Sequence, residues 1–178
     1  MAFYTLKVAG VERQLPILPV SDKTSIAAFI MFSDVELTVA CASELLKKVG
    51  DFDVILTAES KGIPIAYELA RQSGKSYVVG RKSVKLYMTD PISVNVRSIT
   101  TMGVQTLYLS QEDASKLRGK KVLIADDVIS TGESLIALEK LCEEAGGIIA
   151  CRSAVLAEGE AAERDDIVFL EKLPLFPQ

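Results

Sequence analysis

The chain contains no histidine. That absence removes every Ser–His and Cys–His nucleophile arrangement. Together with the lack of any Cys-x-x-Cys, it also argues against a zinc site. Cysteine is scarce. Cys41, Cys142 and Cys151 are odd in number and widely spaced, and they read as small apolar fillers in a reducing compartment. Aromatics are only 6% of the 178 residues while aliphatics are plentiful, the balance of a buried parallel sheet. No apolar run approaches the roughly 18 residues of a membrane span. The opening MAFYTLKVAG has neither a basic leader nor a long apolar core, so a signal peptide is not expected. The expectation is a cytoplasmic protein with no membrane partner. Positive charge is also in deficit, with 24 acidic residues against 20 basic and a net charge of −4. A global basic face for nucleic acid is therefore excluded, and the basic residues that matter are local.

What the chain does have is concentrated in VLIADDVISTGES, residues 122–134. Val122, Leu123, Ile124 and Ala125 read as a buried strand ending in the adjacent carboxylates Asp126 and Asp127. A short loop carries Ser130, Thr131, Gly132 and Ser134, and an amphipathic helix follows. A helix start offers unpaired N–H groups and partial positive charge, which suits a phosphate. Two acids beside a phosphate cradle suggest a ligand that also carries hydroxyls or a metal. A ribose 5-phosphate carries both phosphate and hydroxyls.

The length suits one domain, 1–178. Phe3–Val8 and Arg13–Leu18 suggest an N-terminal hairpin. Ser33-Asp34-Val35-Glu36 reads as a capping box for a helix running to about Val49 and stopping at Gly50. Val35, Val39, Ala42, Leu46 and Val49 would form its apolar stripe. A strand Asp53–Thr57, a helix with Pro64 in its first turn and a strand Ser76–Val79 make a β–α–β unit and imply a parallel sheet. Lys85–Val104 is polar without a helix period and reads as a mobile functional loop or, less interestingly, an exposed hairpin. Further strands are expected at Thr106–Leu109, Ile148–Leu156 and Ile167–Leu173, and helices at Ser110–Leu117 and Ser134–Ala145. Glu158–Asp166 reads as a charged loop. The fold class is α/β, a doubly wound, mainly parallel sheet.

Ligands of such sheets lie beyond the carboxyl ends of the strands. Three segments follow strand ends here and are expected to converge on one crevice. These are the Asp126–Ser134 loop, the Glu59-Ser60-Lys61-Gly62 turn and the basic cluster Arg81, Lys82 and Lys85. The Glu59–Gly62 turn opens a helix, so its N–H groups can bind an anion. The cluster suits a strongly anionic group.

The Asp126–Ser134 segment resembles the PRPP-binding motif of the type I phosphoribosyltransferases, where PRPP is phosphoribosyl pyrophosphate. In that family an apolar strand and two acids precede Thr-Gly-x-Thr/Ser. The Glu59–Gly62 turn is similar to the pyrophosphate loop of the purine branch, with Lys61 where the adenine enzymes usually have Arg. RKSVKL, residues 81–86, looks like the Arg-Lys-x-x-Lys-Leu segment of the adenine branch. The resemblance runs from about Asp53 to Leu156. It implies that Asp126 and Asp127 hold the ribose hydroxyls, and that Ser130, Thr131, Gly132, Glu133 and Ser134 hold the 5′-phosphate. Glu59, Ser60, Lys61, Gly62, Arg81, Lys82 and Lys85 would face the pyrophosphate. It further implies Mg²⁺ held mainly by PRPP, a purine base as second substrate, a homodimer, and a small hood from residues 1–33 and 157–178.

The base is left open by the residues. Adenine leads, with xanthine and hypoxanthine or guanine as alternatives. Thr89-Asp90 and Ser98-Ile99-Thr100 look closer to the xanthine enzymes, and no Glu occurs between Lys85 and Gln105 to serve as the adenine branch's loop acid. Oxopurine enzymes often have Lys or Arg near the position of Glu158, which here is followed by Gly159 and Glu160. Phe29 and Phe32 are candidates for stacking on a base, or else core residues. Rival classes are a PRPP-sensing regulator on the same fold and a pyrimidine or orotate transferase.

Overall fold

The computed structural model describes residues 2–97 and 104–177. Ser98, Ile99, Thr100, Thr101 and Gly103 of the expected loop lie outside the described residues.

The chain opens with strands β1 (Phe3–Val8), β2 (Val11–Ser21) and β3 (Thr24–Ala27). Helix α1 (Val35–Leu46), strand β4 (Val54–Ala58), helix α2 (Ile63–Ser73) and strand β5 (Ser76–Gly80) follow. Next come β6 (Ile92–Arg97), β7 (Val104–Leu109) and the short helix α3 (Gln111–Leu117). Strand β8 (Lys121–Ile129), helix α4 (Glu133–Glu144) and strand β9 (Ile148–Glu158) lead to a 3₁₀ turn at Gly159–Glu163. Strands β10 (Val168–Leu173) and β11 (Leu175–Pro177) end the chain.

The central sheet is parallel, in the order β10-β9-β8-β4-β5. Its middle strands are apolar on both faces, because each face carries its own core. One core joins Ile55, Leu123 and Val155 to Leu37, Cys41 and Leu45 of α1 and Ile65 and Leu69 of α2. The other joins Leu56, Ile124 and Ala154 to Leu135, Leu138 and Leu141 of α4 and Leu117 of α3. This is the doubly wound arrangement expected. A second, antiparallel sheet of order β1-β2-β3-β11 is built from the two ends of the chain.

Four local expectations need correction. Helix α1 is capped by Asp34, whose Oδ1 accepts from Leu37 N at 3.2 Å, and not by a Ser33–Glu36 box. Glu36 instead accepts from Arg13 Nη2 at 2.7 Å, and Arg13 Nε also donates to Asp34 at 2.7 Å. The β2 arginine engages Glu36, which makes no reciprocal cap, while Asp34 bonds to both the arginine and the helix start. Helix α1 ends at Leu46, and Leu37, Cys41 and Leu45 fill its buried face while Val35 is 71% exposed.

Strand β8 does not stop before the acids. It pairs with β9 through Asp126↔Ala154 and Val128↔Leu156 to Ile129↔Ala157, so both carboxylates sit within a strand. The 85–104 segment is in part regular, since Ile92–Arg97 pairs antiparallel with Val104–Leu109. Its signal has period two. Val96 is buried and Ile92 and Val94 pack on the α4-side core, while Ser93 and Asn95 face solvent.

Candidate active site

Asp126 and Asp127 are the least comfortable groups in the molecule. Asp127 is 3% exposed, and its Oδ2 accepts no hydrogen bond among the described residues. The nearest cation is Lys61 Nζ, 3.7 Å away. Asp127 N donates to Asp126 Oδ1 at 2.9 Å, tying the two residues together. Burial, and then the adjacent Asp127 charge, push the Asp126 carboxyl up to about 8, against the pull of Lys61. Thr57 Oγ1 nearby is also buried without a partner. Buried acceptors left open in this way are unusual and suit a ligand that brings donors or a cation.

Beyond Ile129 the chain turns through Ser130, Thr131 and Gly132 into α4. Gly132 has φ 82°, a left-handed conformation that favours glycine. Thr131 Oγ1 accepts from Glu133 N at 3.5 Å. Ser130, Thr131, Gly132 and Ser134 join Asp126 around a recess of about 40 Å³ at the N-terminus of α4. A helix N-terminus of this kind, with its dipole, suits an anion.

The turn after β4 runs Glu59-Ser60-Lys61-Gly62, with a cis peptide between Glu59 and Ser60. Gly62 caps α2, with Pro64 in the first turn. A Cβ on Gly62 would stand 2.3 Å from Thr57 Oγ1 and 2.8 Å from Asp126 Oδ1. Only glycine lets this turn close against the acid strand. The Glu59 carboxylate reaches across to the end of β5, accepting from Arg81 Nε at 2.8 Å and Lys82 N at 2.7 Å. The Lys82 N–H, then Arg81, hold this carboxyl below its ordinary range.

A cavity of about 510 Å³ lies where these pieces meet. Of the expected site residues, Asp126, Asp127, Ser130 and Ser134 line it from one side. Glu59, Ser60, Lys61 and Lys82 line it from the other. Thr131 and Gly132 line the adjoining recess, which shares Asp126, Ser130 and Ser134 with the cavity. Gly62 lies against Asp126 without lining either space. Three further expected residues are likewise not on the walls. Arg81 bonds to Glu59 and the Tyr87 hydroxyl, Lys85 Nζ donates to Ser83 Oγ at 2.7 Å, and Glu133 begins α4. Phe29 is 4% exposed and lines the cavity, whereas Phe32 is 47% exposed and does not.

The sequence reading missed several lining residues. Ile26 and Ala27 come from the four-residue β3, too short to stand out. Gln105 lies in β7, between the segment read as a loop and the strand expected from Thr106. Val128 and Leu173 stand near or at the ends of β8 and β10, whereas Glu158, at the end of β9, was weighed in the choice of base without being counted among the site residues.

The molecule is thus an α/β protein whose acids, helix-start recess and cationic turn gather at the ends of its parallel strands. Residues 38–174 match the phosphoribosyl transferase domain model, and the chain belongs to that family. It is 36% identical over 130 residues to a hypoxanthine/guanine phosphoribosyltransferase of Methanothermococcus okinawensis, covering 68% of this chain and 67% of that protein. It is 34% identical over 141 residues to the adenine phosphoribosyltransferase of Acetivibrio thermocellus, covering 77% and 79%. Its fold is similar to that of adenine phosphoribosyltransferase from Thermoanaerobacter pseudethanolicus, with TM-score 0.75 at 23% identity over 89% of this chain and 95% of that one.

Proposed function

We propose that the protein is a purine phosphoribosyltransferase acting in purine salvage. It transfers the ribosyl 5-phosphate of PRPP to a ring nitrogen of adenine and releases pyrophosphate. The C1–O bond to pyrophosphate breaks and a C1–N bond forms. No side-chain nucleophile is required, in keeping with the lack of histidine. The observation that carries this reading is the Asp126–Asp127 pair, with Asp127 buried and its Oδ2 without a hydrogen-bond partner among the described residues, in the cavity that adjoins the recess at the start of α4.

On this reading the two acids accept the ribose hydroxyls and stabilise positive charge growing on the ring as the bond to pyrophosphate opens. Ser130, Thr131, Gly132, Glu133 and Ser134 hold the 5′-phosphate, through backbone N–H groups where the side chain is not on the wall. Lys61 and Lys82 receive the pyrophosphate. Arg81, pinned by Glu59, and Lys85 lend charge from behind. The β1–β2–β3–β11 sheet, with Ile26, Ala27 and Phe29 on the cavity wall, acts as the hood over the base.

Mg²⁺ fits this donor set. The oxygens of Asp126 and Asp127 are hard ligands and one of them has no partner. Among the described residues no group of three or more acidic, histidine or cysteine side chains could hold a metal alone. The ion would therefore take most of its oxygens from PRPP, neutralising the leaving group. A cytoplasmic homodimer is the expected setting. Free thiols at Cys41, Cys142 and Cys151 support a reducing compartment. Exposed Val84, Leu86 and Tyr87 beside the basic turn support a partner surface. Among the described residues no helix is long and apolar enough to cross a membrane.

An oxopurine base is the second reading, favoured by the hypoxanthine/guanine relative. Pyrophosphate release with PRPP, Mg²⁺ and each purine in turn tests the assignment. Release with adenine is expected, and silence with every base would refute it. The double substitution Asp126→Asn/Asp127→Asn should lower kcat/KM by at least about 100-fold with an unchanged circular dichroism spectrum.

A further inference from the structure

The recess at the start of α4 has a cationic neighbour that the reading above does not use. A Cβ built on Gly132 would stand 3.1 Å from Nη1 of Arg164, the group nearest that point outside the turn and the start of the helix. Arg164 is distant in sequence and follows the 3₁₀ turn Gly159–Glu163. Its backbone N–H donates to Ala161 O at 3.2 Å. Ala161 is buried in the α4-side core, so the chain beneath the arginine is anchored.

The side chain is aimed as well as anchored. Arg164 Nε donates to Asp166 Oδ1 at 2.8 Å and Nη2 to Asp166 Oδ2 at 2.6 Å, a two-point fork. With Nε and Nη2 on the acid, the opposite end of the guanidinium, Nη1, is the end at Gly132. The pair is therefore a dipole with its positive end on the turn. Close by, Arg152 of β9 pairs with Glu139 of α4. The bonds to Asp166, and then the Asp166 and Glu139 charges, raise the Arg164 guanidinium, so it stays charged. The recess beside it has Asp126, hydroxyls and apolar side chains on its walls and, among the described residues, no lysine or arginine.

We infer that Arg164 is a positioning residue for the 5′-phosphate, adding a full positive charge behind the Gly132 turn while Asp166 holds it in place. The inference rests on the phosphoribosyltransferase reading and deepens it, since it brings to the phosphate a group from outside the Ser130–Ser134 segment. A phosphate monoester carries about 1.5 to 2 negative charges at neutral pH. The helix start answers with only about half an elementary charge. Lys61 and Lys82 are on the wall of the main cavity and not of the recess, and the reading above commits them to the pyrophosphate. Arg164 makes up part of the shortfall through the intervening backbone, where little water screens it.

The test measures binding of ribose 5-phosphate, and of pyrophosphate with Mg²⁺, by calorimetry on the full-length protein and three variants. Arg164→Gln should weaken ribose 5-phosphate about tenfold and leave pyrophosphate within about twofold. Arg164→Lys keeps the charge and loses the aimed fork. It should weaken ribose 5-phosphate about threefold, and it carries the test where the glutamine variant does not fold. Asp166→Asn removes the opposing charge and leaves the arginine cationic, so ribose 5-phosphate should weaken by no more than about twofold. A merely structural clamp predicts equal losses in Arg164→Gln and Asp166→Asn, and that result overturns the inference. Unchanged ribose 5-phosphate binding in the arginine variants overturns it too, as does pyrophosphate binding that falls in step. Wild-type protein that binds neither ligand sinks the phosphoribosyltransferase reading along with it.

Discussion

Replacing Gly62 with alanine isolates one contact on which the site depends. The backbone raises no objection, since φ −76° and ψ −11° suit any residue. The obstacle is space. The new methyl would sit 2.3 Å from Thr57 Oγ1 and 2.8 Å from Asp126 Oδ1. Thr57 is wholly buried in β4, and Asp126 is tied to Asp127 N at 2.9 Å, so neither can retreat freely. Forcing a methyl into a packed site costs about 1–3 kcal/mol. For a domain of this size each kcal/mol lowers Tm by about 2–4 °C, giving a loss of roughly 2–12 °C. Activity should fall further than stability suggests, because the clash bears on the acid assigned to the ribose. Thr57→Ala supplies the control. Its hydroxyl has no partner, so removing it sacrifices no hydrogen bond and costs about 1 kcal/mol for lost packing. The pair Thr57→Ala/Gly62→Ala should recover most of the lost Tm, a clear departure from additivity. It should recover less of the activity, since the contact with Asp126 persists. Thermal unfolding and pyrophosphate release on the four proteins measure this. A Gly62→Ala protein with wild-type Tm and wild-type PRPP KM would refute the packing argument, and strict additivity in the cycle would refute the role of Thr57.

Three further predictions follow from the same site. The Asp126 carboxyl has an ordinary value of 3.8 and is held up to about 8 in the folded protein, so between these values the unfolded chain binds fewer protons. Stability should therefore fall as pH rises across that window and level off above it. Denaturant melts should show Asp126→Asn flattening the slope, and a slope that survives the substitution would contradict the assignment. Ligand hydroxyls or a cation at the pair would favour its ionised form, so binding PRPP with Mg²⁺ near neutral pH should release a proton. Calorimetry in buffers of different ionisation enthalpy would detect this. Ser134→Ala should raise the PRPP KM by about 3–10-fold through one lost hydrogen bond, whereas an unchanged value would remove Ser134 from the phosphate site.

The legible parts of this sequence were those where one local pattern settles the structure. The β–α–β unit from Val54 to Gly80 was visible because an apolar strand, Pro64 at a helix start and Gly74 at its end all agree. The Asp126–Ser134 motif was visible because its residue types are chemically odd together. What escaped needed a partner distant in sequence. Asp34 caps α1 in place of a Ser33–Glu36 box because Arg13, on another strand, holds both Asp34 and Glu36. Strand β11 exists because β3 pairs with it, an edge joining the two ends of the chain. Arg81 was expected at the cavity wall from its place in a basic cluster at a strand end, yet Glu59 turns it aside through a bond that no spacing rule reveals.

The charge on the cavity walls has a consequence for how a polyanion could enter. Four acids face two lysines, Lys61 and Lys82, an unfavourable balance for PRPP if each acid were fully charged. The structure offsets part of it. Arg81 pairs with Glu59, burial beside Asp127 raises the Asp126 carboxyl above its ordinary range, and Lys61 lies 3.7 Å from Asp127. Lys61 cannot serve Asp127 and a departing pyrophosphate equally, so seating the ligand must draw it from the acid. Asp127 then needs another positive or hydrogen-donating group, and on the proposed reading the ribose hydroxyls and Mg²⁺ supply it. Metal and PRPP should accordingly favour each other's binding, because each relieves a charge that the other leaves exposed.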